Sequence, residues 1–275
     1  MLLAIDARNR AVTLGFGTGS SWLLVRRFGA SPERTADEYA LLMGAAADEA
    51  ERLLRSRGEG AAAAPSEAIV SSAWISSVVP ALTPSLVEAV RERFGLAPGV
   101  VGPGTRTGVK IRTDFPSEVG SDLVCAAAAA HELVGGPCLI VDSGAVLTVS
   151  AVNGLGEFIG CAIAPGLRTA ADSLKSVAAQ LPEVRLEAPA RAIGRSTSQS
   201  VQSGVVFGYE GLVRSLVARM GAELQGQGPE PEVLGSGEAS TRAFLSSCGV
   251  ERFEPELVLA GLALIARRNA GSSLG

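Results

Sequence analysis

The sequence predicts an α/β protein made of two similar domains that face one cleft, and three observations support this fold class. An apolar strand, an aspartate and two alternating apolar segments open the chain at 1–28, and the same order recurs at 138–164. Segments with helical spacing alternate with apolar strands along the rest of the chain. A chain of 275 residues with 47% apolar residues is long enough to bury two cores. We expect domains at 1–116 and 117–275, with a last helix at 256–268 that packs back on the first domain.

The first domain is expected to begin with antiparallel strands at 1–5, 11–16 and 22–28. A helix is predicted from Thr35 to Arg57, because Thr35 and Glu38 have the spacing of a capping box. The remaining elements of both domains follow from the same patterns. We predict helices at 84–94, 117–134 and 198–224, strands at 68–74, 138–141, 147–152, 157–164 and 232–237, a strand entering a glycine loop at 99–108, a turn at Asn153 and Gly154, a linker at 58–67, an exposed loop at 225–232, and a mobile terminus at 271–275.

Composition excludes several functional classes. The net charge is −4 and the 24 Lys and Arg residues are scattered, which argues against binding of nucleic acid or an anionic membrane. Cys125, Cys138, Cys161 and Cys248 lack the spacing of zinc sites, so they are interpreted as reduced core residues. The chain opens without a basic signal region and has no apolar stretch near 18 residues. We therefore expect a cytoplasmic protein.

Two aspartates follow the duplicated strands directly. Asp6 and Asp142 each lie at the end of an apolar strand, ahead of a tight turn. A carboxylate in this position can face Mg²⁺ and phosphates beside backbone amides, although a single acid there more often caps the turn. The duplicated arrangement resembles the actin, hexokinase and Hsp70 superfamily, whose ribonuclease H-like domains hold ATP between them.

Seven short motifs resemble, in the same order, those of the type III pantothenate kinases. They are TADEY at 35–39, SSVVPALTP at 76–84, GPGTRTG at 102–108, PSEVGSD at 116–122, VDSG at 141–144, APGL at 164–167 and GRSTSQSVQSG at 194–204. The resemblance extends from residue 1 to about residue 268. It implies transfer of the γ-phosphoryl group of ATP to the primary hydroxyl of pantothenate, or of a close analogue, in coenzyme A biosynthesis.

The resemblance also implies roles for individual residues. Asp122 is expected to be the base that accepts the hydroxyl proton, although a capping acid is the alternative reading of this helix position. Asp6 is expected to bind Mg²⁺ through water, and Asp142 to lie beside a monovalent cation, K⁺ or NH₄⁺. Further expected contacts are Asp6, Asn9, Gly144, Ser236 and Gly237 for the nucleotide, Gly102, Gly104, Thr107 and Gly108 for pantothenate, and Thr197 for the pantothenate of the other subunit in a dimer.

The first loop (residues 6–11) departs from the family pattern Asp-x-Gly-Asn-Thr-Asn. Here the sequence is Asp-Ala-Arg-Asn-Arg-Ala, so only Asp6 and Asn9 remain. Glycine is needed where the backbone approaches phosphate closely, and Arg8 both crowds and restricts that position. Alternatively, Arg8 or Arg10 supplies positive charge to phosphate in a different way.

Other expected nucleotide-binding positions also differ from the family pattern. In the second loop (residues 142–150), Ala145 and Leu147 replace two hydroxyl residues and Ser150 replaces an acid. Leu123 replaces an arginine after the expected base, and Glu238 replaces a glycine in the adenosine loop. Each lost donor typically costs about 3–4 kcal/mol of barrier. Even about 6 kcal/mol in total lowers the rate by roughly 10⁴.

These losses leave three hypotheses. The resemblance implies a dimer, either a homodimer or a heterodimer with an intact paralogous kinase subunit. The first hypothesis is a kinase subunit that depends on such a paralogous subunit. The second is an autonomous kinase in which Arg8 and Arg10 replace the lost phosphate contacts. The third is a non-catalytic binding or regulatory protein that senses pantothenate or a related metabolite. The sequence favours the first, because the losses are confined mainly to nucleotide contacts.

Overall fold

The structure is a computed structural model that describes residues 1–18, 21–57, 69–178, 180–226 and 228–270. The predicted linker at 58–67 and the predicted mobile terminus at 271–275 lie outside the described residues.

The chain forms two compact units. The first contains Met1–Gly108, Phe115–Ala129 and the chain from Val258 onward, and the second contains Val109–Asp114 and Ala130–Leu257. The last helix is therefore grouped with the first unit, and the chain passes between the units more than once.

The first unit is built on a sheet of five strands: β1 (Leu2–Ala7), β2 (Ala11–Gly17), β3 (Trp22–Gly29), β4 (Ser72–Ser77) and β5 (Gly99–Val100). Their order in the sheet is β3-β2-β1-β4-β5. The predicted antiparallel meander is confirmed, because β2 pairs with both β1 and β3, whereas β4 runs parallel to β1 and β5 parallel to β4.

The helices in the described part of the first unit are α1 (Ala36–Ser56), α2 (Thr83–Phe94), the start of α3 (Ser121–Val134) and α8 (Leu257–Asn269). The predicted capping box is confirmed, since Glu38 N–H donates to Thr35 Oγ1 at 3.3 Å and Thr35 N–H donates to Glu38 Oε2 at 2.8 Å. Helices α1 and α2 share one apolar core with the strands, in which Phe16 and Tyr39 are fully buried. Helix α8 approaches α3 so closely that a Cβ at Gly261 would lie 1.8 Å from the Cys125 carbonyl oxygen.

The second unit is built on a sheet of six strands: β6 (Lys110–Ile111), β7 (Cys138–Ser143), β8 (Val146–Val152), β9 (Glu157–Pro165), β10 (Glu232–Gly237) and β11 (Arg252–Phe253). Their order in the sheet is β11-β10-β7-β8-β9-β6. Strands β7, β8 and β9 form the second antiparallel meander that the duplication predicts. The turn predicted at Asn153 and Gly154 is confirmed by a bond from Gly156 N–H to the Asn153 carbonyl at 3.0 Å.

The helices of the second unit are α4 (Leu167–Val177), α5 (Thr197–Gln202), α6 (Gly208–Leu224) and α7 (Arg242–Ser247). The helix predicted at 198–224 is confirmed, but a π-helical turn at Ser203–Phe207 joins α5 to α6. The helix predicted at 117–134 begins only at Ser121, after a 3₁₀ turn at Pro116–Glu118. Within the part of the chain that the structure describes, each helix is too short or too polar to cross a bilayer.

Candidate active site

The two sheets place an aspartate in equivalent surroundings. In the first unit, Asp6 on β1 pairs in register with Thr13 on the antiparallel neighbour and with Ser76 on the parallel neighbour. In the second unit, Asp142 on β7 pairs in the same way with Thr148 and with Ser236. Both aspartates are 6% exposed. The repeat inferred from the sequence is therefore a repeat of strand order, direction and polar positions.

The first loop turns the side chain of Arg8 back onto Asp6. Arg8 N–H donates to the Ala11 carbonyl at 2.9 Å, which closes the connection between β1 and β2. Arg8 Nε donates to Asp6 Oδ2 at 2.9 Å, and both side chains are largely shielded from solvent. The expected nucleotide contact Asn9 is exposed in the same connection. The residue that replaces a family glycine is thus the direct ionic partner of the expected metal-binding carboxylate.

The expected base Asp122 lies in the first turn of α3, within the same unit as Asp6. Burial raises the pKa of the nearby Cys125 thiol, and the Asp6 carboxylate and then the Asp122 carboxylate raise it further, whereas Arg8 lowers it. Ser76 pairs in register with Asp6, and its Oγ lies 3.0 Å from the Oγ of Ser121, the residue before Asp122. Together with the ion pair of Arg8 and Asp6, this contact brings Asp6, Arg8 and Asp122 into one neighbourhood of the first unit.

Hydroxyl groups tie the start of α3 to the end of β4. Ser76 is fully buried, and its Oγ lies 3.0 Å from Ser121 Oγ. Ser121 Oγ also donates to the Ser77 carbonyl at 3.1 Å. The helix that carries Asp122 is thereby fixed to the strand that is paired with Asp6.

Gly120 leaves space for the Asp122 carboxylate. Asp122 Oδ1 accepts a hydrogen bond from Leu123 N–H at 2.8 Å, so the carboxylate is held against the helix start. A Cβ at Gly120 would lie 2.5 Å from that same Oδ1 and 3.2 Å from Val78 Cγ1. Any larger residue at position 120 must displace the carboxylate.

The expected pantothenate residues form a glycine loop (residues 102–108) in the first unit, after β5. Gly102, Gly104 and Gly108 are exposed and Thr107 is half-buried. Exposure is what a surface that receives a ligand requires, because the ligand must displace water from it.

In the second unit, the second loop is closed by its own backbone. Gly144 N–H donates to the Val146 carbonyl at 3.1 Å, and Gly166 N–H donates to the Ala145 carbonyl at 2.9 Å. Ser236 is 1% exposed at the end of β10, followed by Gly237, and Glu238 is exposed after it.

Two further hydroxyls of the second loop are buried. Among the described residues, Thr148 Oγ1 and Ser150 Oγ have no hydrogen-bond partner, and Ser150 is 2% exposed. Both belong to β8 at a spacing of two, so they lie on the face of the sheet that carries Asp142.

Thr197 begins α5 in the second unit and is exposed. The preceding Ser196 caps this helix by accepting from Gln199 N–H at 3.3 Å. Across the described ranges, no group of three or more His, Cys, Asp or Glu side chains is arranged to hold a metal ion.

Sequence reasoning did not identify Ser76, Ser121 or Gly120 as parts of the site. All three lie inside motifs that were recognised, SSVVPALTP and PSEVGSD, but motif order does not show which side chains meet. Both sequence-based interpretations of Arg8, as a residue that crowds phosphate or as one that supplies charge to it, leave out its ion pair with Asp6.

Comparison with solved structures agrees with the two-sheet architecture. A putative Baf family transcriptional activator from Campylobacter jejuni matches with a TM-score of 0.59 at 13% identity, covering 98% of this chain and 99% of that one. A putative 2-dehydro-3-deoxygalactonokinase from Sinorhizobium meliloti matches with a TM-score of 0.52 at 16% identity, covering 100% of both chains. These similarities show that the two units are actin-like domains.

Comparison of sequences identifies the family. The sequence model of type III pantothenate kinase matches residues 2–219. Type III pantothenate kinase 2 of Symbiobacterium thermophilum is 37% identical over 275 residues, which covers 100% of this chain and 99% of that protein. Type III pantothenate kinase of Moorella thermoacetica is 36% identical over 269 residues, covering 98% of this chain and 100% of that protein. The chain therefore belongs to the type III pantothenate kinase family.

Proposed function

We propose that this chain is a cytoplasmic pantothenate kinase subunit of coenzyme A biosynthesis that depends on an intact paralogous subunit for efficient phosphoryl transfer. In this proposal, the chain binds ATP weakly when alone. Its retained contribution is to pantothenate binding, in its own glycine loop and, through Thr197, in the site of its partner.

One observation carries the proposal: the ion pair between Arg8 Nε and Asp6 Oδ2 at 2.9 Å. A divalent cation needs the oxygens of a carboxylate, and a guanidinium already bound there competes with it electrostatically. The surroundings of Asp6 therefore do not fit Mg²⁺ while this pair is formed, and without the metal the triphosphate loses a major source of charge neutralisation.

The residues around Asp142 contribute less to the proposal than the ion pair at Asp6. A monovalent cation beside Asp142, K⁺ or NH₄⁺, stays a prediction, and so do the nucleotide contacts of Gly144, Ser236 and Gly237. The buried hydroxyls of Thr148 and Ser150 support a polar site on this face of the sheet, because buried hydroxyls normally have hydrogen-bond partners.

The residues expected to act on the substrate hydroxyl are better preserved than the nucleotide contacts. The contact between Ser76 and Ser121 holds the start of α3 beside the strand that pairs with β1, and Gly120 leaves space for the Asp122 carboxylate. Its role in the proposal is to accept the proton of the primary hydroxyl of pantothenate as that oxygen bonds to the γ-phosphorus of ATP. The bond from the γ-phosphorus to the β,γ-bridging oxygen breaks in the same transfer, and ADP leaves. A base of this kind requires reach and alignment more than a shifted pKa.

Association with a second subunit has support from the surface of the second unit. Ile163, Val177 and Ile193 are 68%, 87% and 83% exposed. An exposed apolar side chain gains stability when another subunit covers it and removes it from water. We propose that the partner is a kinase subunit of the same family, so that an exposed Thr197 reaches its pantothenate.

The proposal is tested by co-expression of this chain with a paralogous kinase subunit from the same genome, followed by size exclusion and a coupled assay of ATP consumption with pantothenate. We expect co-elution and a turnover well above that of the partner alone. Absence of both co-elution and gain would contradict partner dependence.

The chain alone separates the other hypotheses in the same assay. Turnover near one per second without a partner would establish an autonomous kinase in which Arg8 and Arg10 have new roles. Binding of pantothenate by calorimetry without any turnover, alone or in the mixture, would instead indicate a non-catalytic binding protein.

A further inference from the structure

The glycine loop is closed on itself in its first half. Thr105 N–H donates to the Gly102 carbonyl at 3.0 Å, and Gly102 N–H donates to Thr105 Oγ1 at 3.1 Å. These two bonds form a small turn that uses only atoms of the loop. They leave the second half, from Arg106 to Gly108, to be held by another element.

That element is the end of α8. Asn269 Oδ1 accepts from Arg106 N–H at 3.2 Å, and Asn269 Nδ2 donates to the Arg106 carbonyl at 3.1 Å. One amide side chain thus binds both backbone polar groups of one loop residue, as a neighbouring strand would. Asn269 Nδ2 also donates to the Ile265 carbonyl at 2.8 Å, which fixes the amide against its own helix.

Arg268 provides a second contact with the same half of the loop. Its Nη1 donates to the Thr107 carbonyl at 2.7 Å. A Cβ at Gly108 would lie 1.8 Å from that nitrogen, so the absence of a side chain at position 108 admits the guanidinium. Gly108 also has a φ of +79°, a conformation that other residues adopt only with strain.

We infer that Arg268 and Asn269 are positioning residues for the glycine loop, which they hold in the conformation that receives pantothenate. This inference rests on the proposed function for the identity of the ligand. Both residues lie beyond residue 219, where the match to the family model ends. We call Arg268 and Asn269 the clamp. Their bonds to Arg106 and Thr107 are made to backbone atoms, so the clamp constrains the loop without depending on the loop's side chains. A loop held in its binding conformation loses less conformational entropy when the ligand binds.

The test uses variants of the full chain and two separate measurements. Asn269→Ala removes both bonds to Arg106, and Asn269→Asp keeps an acceptor for Arg106 N–H but loses the donor to the carbonyl. Arg267→Ala is the matched control, because Arg267 is an exposed arginine of the same helical turn. Thermal unfolding of each variant shows that it is folded before the measurements are made.

Hydrogen exchange of the peptide that covers residues 102–108 measures the clamp itself. We expect exchange at the Arg106 amide at least tenfold faster in Asn269→Ala, a smaller change in Asn269→Asp, and none in Arg267→Ala. Equal exchange in all of these variants would overturn the inference.

Calorimetry with pantothenate measures the consequence for binding. We expect the dissociation constant to rise about tenfold in Asn269→Ala and to be partly restored in Asn269→Asp. Faster hydrogen exchange of the glycine loop with an unchanged dissociation constant for pantothenate would overturn the positioning role. If the unmodified chain binds no pantothenate at millimolar concentration while loop exchange responds as expected, the clamp is supported and the substrate assigned by the proposed function is wrong.

Discussion

Arg8, in the connection between β1 and β2, binds the carboxylate of Asp6 on β1 through its Nε, 2.9 Å from Oδ2. Asp6 is 6% exposed, so its charge depends on neighbouring groups more than on water. Such a pair is costly to separate unless another cation replaces the guanidinium. A single substitution in the first loop therefore changes both the space for phosphate and the partner of the expected metal ligand.

Thr197→Val in this chain should impair the complex with the paralogous subunit. Valine matches threonine in shape but lacks the hydroxyl, so we expect KM for pantothenate to rise about tenfold, as for the loss of one hydrogen bond of roughly 1.5 kcal/mol. Steady-state kinetics of the purified complex provides the measurement. Ser198→Ala removes the next exposed hydroxyl of the same helix and should have no effect. An equal effect of the two variants would argue against a specific contact.

Asp122→Asn should lower the slow turnover of the chain alone by roughly 10²–10⁴, because an amide cannot accept the hydroxyl proton. Pantothenate binding should be retained, since the glycine loop is unchanged. Radiometric detection of phosphorylated pantothenate measures the turnover, and calorimetry measures binding. The control is Asp114→Asn, an exposed acid eight residues earlier. Full turnover in Asp122→Asn would exclude this residue as the base.

Gly120→Ala should displace the Asp122 carboxylate without removing it. The added Cβ would lie 2.5 Å from Asp122 Oδ1, so the side chain must rotate away. We expect kcat to fall at least tenfold with little change in KM for pantothenate. Gly29→Ala is a suitable control, because a Cβ there meets no atom within 4 Å. Unchanged kcat in Gly120→Ala would show that the position of the carboxylate is not critical.

The buried thiols should resist alkylation in the folded protein. Burial raises the pKa of Cys138 to about 12 and that of Cys248 to about 11, and burial also raises the pKa of Cys125. At pH 8 the reactive thiolate is therefore a minute fraction of each, and it increases only as the pH rises. We expect iodoacetamide to modify the half-buried Cys161 first, as mass spectrometry of peptides will show. Early modification of Cys125 would contradict its burial.

The sequence predicted the strands and the placement of both aspartates because these follow from local periodicity. Asp6 ends one apolar run and Asp142 ends another. Apolar residues at every second position predict the strands that follow each aspartate. The capping box at Thr35 and Glu38 was equally local. Features of this kind depend on residues only a few positions apart.

Contacts between distant segments could not be predicted in the same way. Ser76 and Ser121 are 45 positions apart, and Arg106 and Asn269 are 163 positions apart. No periodic pattern relates such residues, because their proximity is set by how the elements pack. The pair of Arg8 and Asp6 is local, yet residue types alone do not show whether an arginine turns toward a carboxylate or toward water.

Calorimetric titration of ATP with Mg²⁺ into the unmodified chain, Arg8→Ala and Arg8→Gly tests the central claim most directly. Alanine removes the ion pair, and glycine also removes the crowding of the first loop. We expect weak binding by the unmodified chain, binding about tenfold tighter in Arg8→Ala, and tighter still in Arg8→Gly, with the gain lost when Mg²⁺ is omitted. Micromolar affinity of the unmodified chain, or equal affinity in all three proteins, would contradict the account.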